Sequence, residues 1–275
     1  MSNAGRLEPL ELLYEVDDLP RTGLPDGLAH LYGGDLGFAE TCLYANFVAT
    51  VDGIVAIPPM PRSNEFIAGG SDADRFLMGL LRAFADAVII ASGVLRASPG
   101  GTWQPGDIYP PASAAYAELR ERLGASTAPE VAVLTGSGSI DPEHPLLASG
   151  ALVVTSEDGA ARLAGHLPAA STVVALGRDP RIDPATVVDA LHVRGHRRIL
   201  CEAGPHTFGS FLGAGVVDEL FLTTSPLLVG DAGPGTRFGL VEGVDLTPAG
   251  THAQLVSVRR HGAYLFQRYT LADAR

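Results

Sequence analysis

Lysine is absent from all 275 residues, so the 19 basic side chains are arginines without exception. A Schiff-base lysine and the lysine of a phosphate-binding P-loop are both excluded by that absence. Cysteine is scarce: Cys42 and Cys201 stand far apart and in no CxxC spacing, so buried free thiols are expected rather than a disulfide framework. No apolar run approaches the roughly 18 residues of a membrane span, and residues 1–6 (MSNAGR) lack a basic-then-apolar leader. A cytoplasmic protein without a membrane partner is expected. Basic charge is also short, 19 groups against 31 acidic ones for a net charge of −12, which leaves no basic face to track a nucleic-acid backbone.

Apolar residues make up 46% of the chain, enough to bury a core that offsets the ordering entropy, so disorder is excluded as well. Residues 1–40 are rich in proline, glycine and acids. They read as an N-terminal arm or lid, with one helical-looking piece at 10–16 and turns at 25–27 and 33–35. Residues 41–275 read as a single domain.

Within it, strands and helices alternate. The run 42–50 (CLYANFVAT) is an apolar strand that stops at the turn dipeptide Asp52-Gly53. Ser71 caps a helix whose first turn carries Asp72 and Asp74, as the helix dipole favours, and Phe76, Leu77, Leu80, Leu81 and Phe84 follow at helical spacing. The run 87–91 (AVIIA) is apolar throughout, as in a strand buried on both faces. A Pro/Gly-rich loop at 98–111 leads to a helix at 112–123. Further strands are expected at 131–135, 151–155, 172–176, 198–201 and 219–224, with helices near 159–165, 184–193 and 206–213. Such alternation predicts a largely parallel α/β sheet. The runs 255–260 and 263–270, joined through His261-Gly262, read as an antiparallel hairpin at a sheet edge, and an unpaired edge suggests a homodimer.

Three places could carry chemistry. Gly136-Ser137-Gly138-Ser139 follows a strand, and its backbone could meet a phosphate or ribose, or form an ordinary turn. Glu202 ends a strand ahead of Ala203-Gly204-Pro205, where open α/β sheets keep their ligand crevices; it is either a functional carboxylate or a satisfied buried acid. Asp52 is either the turn residue or a second carboxylate on that crevice, and either acid could supply a proton. His192 and His196 are four apart, but no third ligand is marked, and no metal is expected.

Four segments together resemble the riboflavin-biosynthesis reductases, the dihydrofolate-reductase-like domain that also forms the C-terminal half of bifunctional deaminase-reductases. They are 45–53 (ANFVATVDG), 71–93 (SDADRFLMGLLRAFADAVIIASG), 198–212 (RILCEAGPHTFGSFL) and 215–230 (GVVDELFLTTSPLLVG). They match the family's S/T-L-D-G strand end, its LRA-x-x-DA-V-x-x-G-x-G-T stretch, its EGGP turn and its VDEL…P-x-x-G strand. The resemblance spans about residues 42–271.

It implies a three-layer α/β/α sandwich with a mostly parallel sheet, NADPH as cofactor, and hydride transfer to C1′ of an open-chain phosphoribosylamino pyrimidine. Asp52 and Glu202 would flank the reaction. Thr50, Gly93 and Val94 would line the cofactor, and Ala203, Gly204, Pro205 and His206 would cradle its phosphates. Thr135, Gly136, Ser137, Thr155 and Ser156 would lie by its adenosine half. Asn46 and Arg82 would face the substrate, with Arg82 or Arg96 offsetting anionic charge. The chain departs from the pattern at Asn46, where bifunctional members have lysine, and at Val94, which replaces the threonine of G-x-G-T. It departs again at Ser98, Ala203 and Ile54. Lost hydroxyls and charges alter polar recognition more than packing, so a pterin or dihydrofolate-like substrate, or a non-catalytic cofactor-binding homologue, are the alternative readings.

Overall fold

The computed structural model describes residues 7–58, 60–231 and 233–272. In chain order, its first half gives β1 (Glu11–Glu15), α1 (Asp26–Tyr32), β2 (Cys42–Thr50), α2 (Ser63–Ala68), α3 (Asp72–Phe84), β3 (Ala87–Ala91), α4 (Ser92–Ala97), α5 (Pro105–Ile108), α6 (Ser113–Arg122) and β4 (Glu130–Thr135). The second half gives α7 (Pro145–Ser149), β5 (Leu152–Thr155), α8 (Glu157–Leu163), β6 (Thr172–Ala175), α9 (Pro184–Val193), β7 (Arg198–Cys201), α10 (Pro205–Gly213), β8 (Glu219–Ser225), β9 (His252–His261) and β10 (Tyr264–Ala272). The ten described strands form one sheet in the order β1-β9-β10-β8-β2-β7-β3-β4-β5-β6.

From β8 to β6 every neighbouring pair is parallel, and β10, β9 and β1 continue the sheet antiparallel. The central strands are apolar on both sides because both faces are covered. Tyr44, Val88, Val133 and Val153 pack under α3 and α6 on one face, while Leu43, Ile89, Ala132 and Leu152 pack under α9 and α10 on the other. This is the expected three-layer α/β/α sandwich. Helix α3 begins where expected: the Ser71 hydroxyl accepts from the Asp74 amide at 3.3 Å.

Residues 10–16 correct the sequence reading. The helix expected there is strand β1, whose Glu11 stands opposite Arg260 and whose Glu15 stands opposite Ser257 of β9. Leu10, Leu13 and Tyr14 have helical spacing, but five residues are too few to hold a helix against pairing with a long strand. The 255–270 hairpin forms as β9 and β10, yet it is not outermost, because β1 covers the β9 edge. The Pro25-Asp26-Gly27 turn opens helix α1, with Leu28 and Tyr32 buried in the same core as α3 and α6. Among the described residues no helix is long and apolar enough to cross a membrane.

Candidate active site

The C-terminal ends of β2, β7 and β8 lie on the side of the sheet where α3 and α10 begin, and three carboxyl groups stand there in different surroundings, Asp74 within electrostatic reach of Glu202. The β2 end is shaped by Thr50. Its buried hydroxyl donates to Asp52 Oδ1 and accepts from the Ile54 amide at 2.9 Å, closing the turn in which Gly53 takes φ +85°. Asp52 Oδ2 accepts from the amides of Val229 and Gly230 at 3.1 and 2.7 Å, pinning the segment after β8 to the end of β2. The Thr50 hydroxyl and the Gly230 amide hold the Asp52 carboxyl below its ordinary range. Asp52 is therefore a charged clamp on a turn.

Glu202 follows β7, and its amide is bonded to the Ile89 carbonyl at 2.9 Å. Its carboxylate receives the Arg82 guanidinium from α3 in a forked pair, Nε at 3.1 and 3.2 Å and the terminal nitrogen at 2.7 Å. The two side chains are only 9% and 11% exposed, so each is the other's counter-charge away from water. The structure thus ties Arg82, expected on the substrate, to Glu202, expected beside the hydride.

The third carboxyl is Asp74, 5% exposed in the first turn of α3. Burial, reinforced by the charge of Glu202, pushes it up to about 6; the Thr223 hydroxyl, which closes no hydrogen bond of ordinary length, and Arg75 pull the other way. The sequence reading took Asp74 only as a carboxylate suited to the helix dipole. The missed signal was its position: Asp74, Leu77 and Leu81 are spaced along one buried stripe of α3.

The turn between β7 and α10 carries Ala203, which is buried, and Gly204, which has φ +86° and caps the helix. Pro205 is the first helical residue, so the remaining first-turn amides point out of the helix with no intrahelical acceptor. A side chain at Gly204 would come within 3.7 Å of a Val94 methyl, so this turn lies against the start of α4. Gly93 and Val94, expected to line the cofactor, lie in the first turn of α4. The His206 ring packs edge-on against Phe238, 4.9 Å between centroids. Asn46 is half-buried on β2.

At the ends of β4 and β5 the expected adenosine-side residues are together, and the hydroxyls of Thr155 and Ser156 are engaged. Thr155 donates to the Thr135 carbonyl at 2.5 Å, and Ser156 donates to the Gly136 carbonyl at 2.7 Å while capping α8. A Cβ on Gly136 would fall 1.9 Å from the Pro180 carbonyl oxygen, so glycine is required there for packing. Ser137 is exposed, with its carbonyl taken by Arg162. His196 is bonded to Glu130 at 2.7 Å, which separates it from any pairing with His192.

The family model described as the RibD C-terminal domain matches residues 41–265. No curated protein matches. Among solved structures, a pyrimidine reductase-like protein from Corynebacterium diphtheriae is 22% identical with a TM-score of 0.67, covering 89% of this chain and 98% of that one. RibD of Acinetobacter baumannii is 16% identical with a TM-score of 0.62, covering 89% of this chain and 60% of that one. The riboflavin biosynthesis reductase Rib7 of Saccharomyces is 10% identical with a TM-score of 0.57, covering 90% of this chain and 95% of that one.

Proposed function

Since the chain belongs to the RibD C-terminal domain family, we propose that it is an NADPH-dependent reductase of a phosphoribosylamino pyrimidine in riboflavin biosynthesis. The observation that carries this reading is the juxtaposition at the strand ends of a glycine-capped helix start, Gly204 on α10, with the buried Arg82–Glu202 pair. A nicotinamide dinucleotide fits the residues present. The first-turn amides of α10 suit its diphosphate, and Gly204, at φ +86°, makes the turn that presents them. When bound, the cofactor supplies a hydride.

Each residue of the crevice then has a task. Ala203, Gly204, Pro205 and His206 hold the phosphates, and Gly93 and Val94 border the cofactor along α4. Thr135, Gly136, Ser137, Thr155 and Ser156 meet the adenosine half through main chain. Thr50 and Asp52 fix the turn that shapes the mouth, while Asn46 offers an amide to the substrate. Glu202 is kept in place by Arg82, so the pair acts as a rigid polar wall beside the reacting carbon.

The test is a fluorescence titration with NADPH, then its oxidation after addition of the ribosylaminopyrimidine phosphate. Binding with turnover is expected; failure to bind either NADPH or NADH removes the reading. Turnover with dihydrofolate alone replaces the substrate while keeping the cofactor. We read the protein as cytoplasmic and as a homodimer. The exposed Leu12, Leu13 and Tyr14 on the outermost strand β1 support association, and a monomer by light scattering would end that part of the reading.

A further inference from the structure

We propose that Asp74 is the proton donor of the reaction, working from a polar wall whose other members are the hydroxyls of Thr223 and Ser225. This rests on the reductase reading above. Ser225 Oγ is buried with no hydrogen-bond partner, and Thr223 Oγ1, buried against Asp74, closes no hydrogen bond of ordinary length, although buried hydroxyls are ordinarily satisfied. They are two apart on β8, so they share the sheet face that carries Phe221 into the core under α3. Ser225 stands beside Thr50 in the β2–β8 ladder, at the mouth of the crevice. Two such hydroxyls on one face, one of them against the buried Asp74 carboxyl, mark a place where a polar ligand completes the hydrogen bonding.

Chemistry selects Asp74 from the three acids. Asp52 has both oxygens taken by Thr50 and two main-chain amides. Glu202 has both oxygens on Arg82, and protonating it would leave a buried guanidinium without a counter-charge. Asp74 has no such cation on it. The groups that face it are Glu202 from the β7 end, Thr223 from β8, Tyr264 from β10, and Arg75 from its own helix. With its carboxyl pushed up to about 6, Asp74 is able to give and regain a proton near neutral pH.

In the balanced step, the C1′=N double bond of the open-chain imine takes hydride at carbon from the reduced nicotinamide, which is oxidised. The π pair moves to nitrogen and bonds the Asp74 proton, and the resulting carboxylate regains a proton from water.

The test combines turnover with a readout that needs none. The kcat of the parent should fall as pH rises above about 6, and Asp74→Asn should lower kcat about 100-fold or more and abolish that limb. Thr223→Val should raise KM while keeping the limb. Carbon-13 NMR of labelled aspartate should show one carboxyl titrating near pH 6 in the parent, moved to lower pH in Glu202→Gln and absent from Asp74→Asn. Because that titration is independent of turnover, it stands or falls separately from the substrate assignment. An Asp74→Asn enzyme with the parent's kcat and pH limb, an unchanged KM in Thr223→Val, or no carboxyl titrating in that range would each overturn the proposal.

Discussion

At the strand-end crevice, the energetics of each acid follow from what surrounds it. For Asp74 the folded-state value, about 6, lies above the 3.8 of the free side chain. Folding therefore favours its neutral form: stability from this group is full below the unfolded value and is lost as pH rises through about 6. A displacement of about two units corresponds to roughly 3 kcal/mol as an upper figure. Asp74→Asn, which cannot ionise, is expected to be more stable than the parent at pH 8 and nearly equal to it at pH 4, as read from urea midpoints at both pH values. A stabilising substitution that removes turnover is the signature of an acid kept for chemistry. The Arg82–Glu202 pair predicts the reverse. Arg82→Ala leaves Glu202 buried and unpaired and should cost roughly 3–5 kcal/mol, whereas replacing both by apolar residues of similar volume should recover most of that loss. The double variant should still be inactive. None of this pairing was legible beforehand: Arg82 and Glu202 are 120 positions apart, and only the fold shows that they meet.

Among the elements, those whose signal is local are the ones the sequence pattern located well. Strands β3 and β7 are short apolar runs, and α9 spans the expected 184–193 because Pro184 follows the capping Asp183. Strand β1 failed because its partner β9 lies some 245 residues away, and its two acids are met by Arg260 and Arg259 from that partner. Helix α4 carries no such local signal: Ser92-Gly93 reads as a strand-end turn, and no side chain caps the helix. A similar non-local tie joins the start of β4 to the end of α9. Glu130 accepts from Arg194 at 2.6 and 2.9 Å and contacts His196 at 2.7 Å. The His196 ring, followed by Arg194, holds the Glu130 carboxyl down at about 2, against 4.5 for the free group. Its contribution is thus present above pH 4.5 and lost as pH falls through about 2. Allowing for partial exposure, Glu130→Gln should cost about 1–2 kcal/mol at pH 7. The difference from the parent should shrink by more than half in acid, which thermal melts at pH 7 and pH 3 will follow; an equal deficit at both would exclude the carboxylate as its source.

On the scale of the whole molecule, residues 7–36 behave as part of the body they precede. Leu10, Leu28, Tyr32 and Leu36 are each at most 3% exposed, in one core with α3, α6 and Trp103, the single tryptophan of the chain. Arg259 of β9 is 1% exposed, stacks at 3.8 Å on the Tyr32 ring, and donates to the Tyr32 carbonyl at 2.8 Å and to Glu15 at 2.7 Å. Removing the segment would strip that buried cation of its carboxylate and open the β9 edge to other chains. A lid alone would come away without such losses. We therefore expect a chain starting at residue 37 to be insoluble or unfolded. Leu28→Ala should cost about 2–5 kcal/mol, the range for emptying a fully buried leucine site. Its effect should be global: the Trp103 fluorescence and far-ultraviolet transitions in urea should shift together by the same free energy. Two separated transitions, with only one of them moved, would show that residues 7–36 fold apart from the sheet they border.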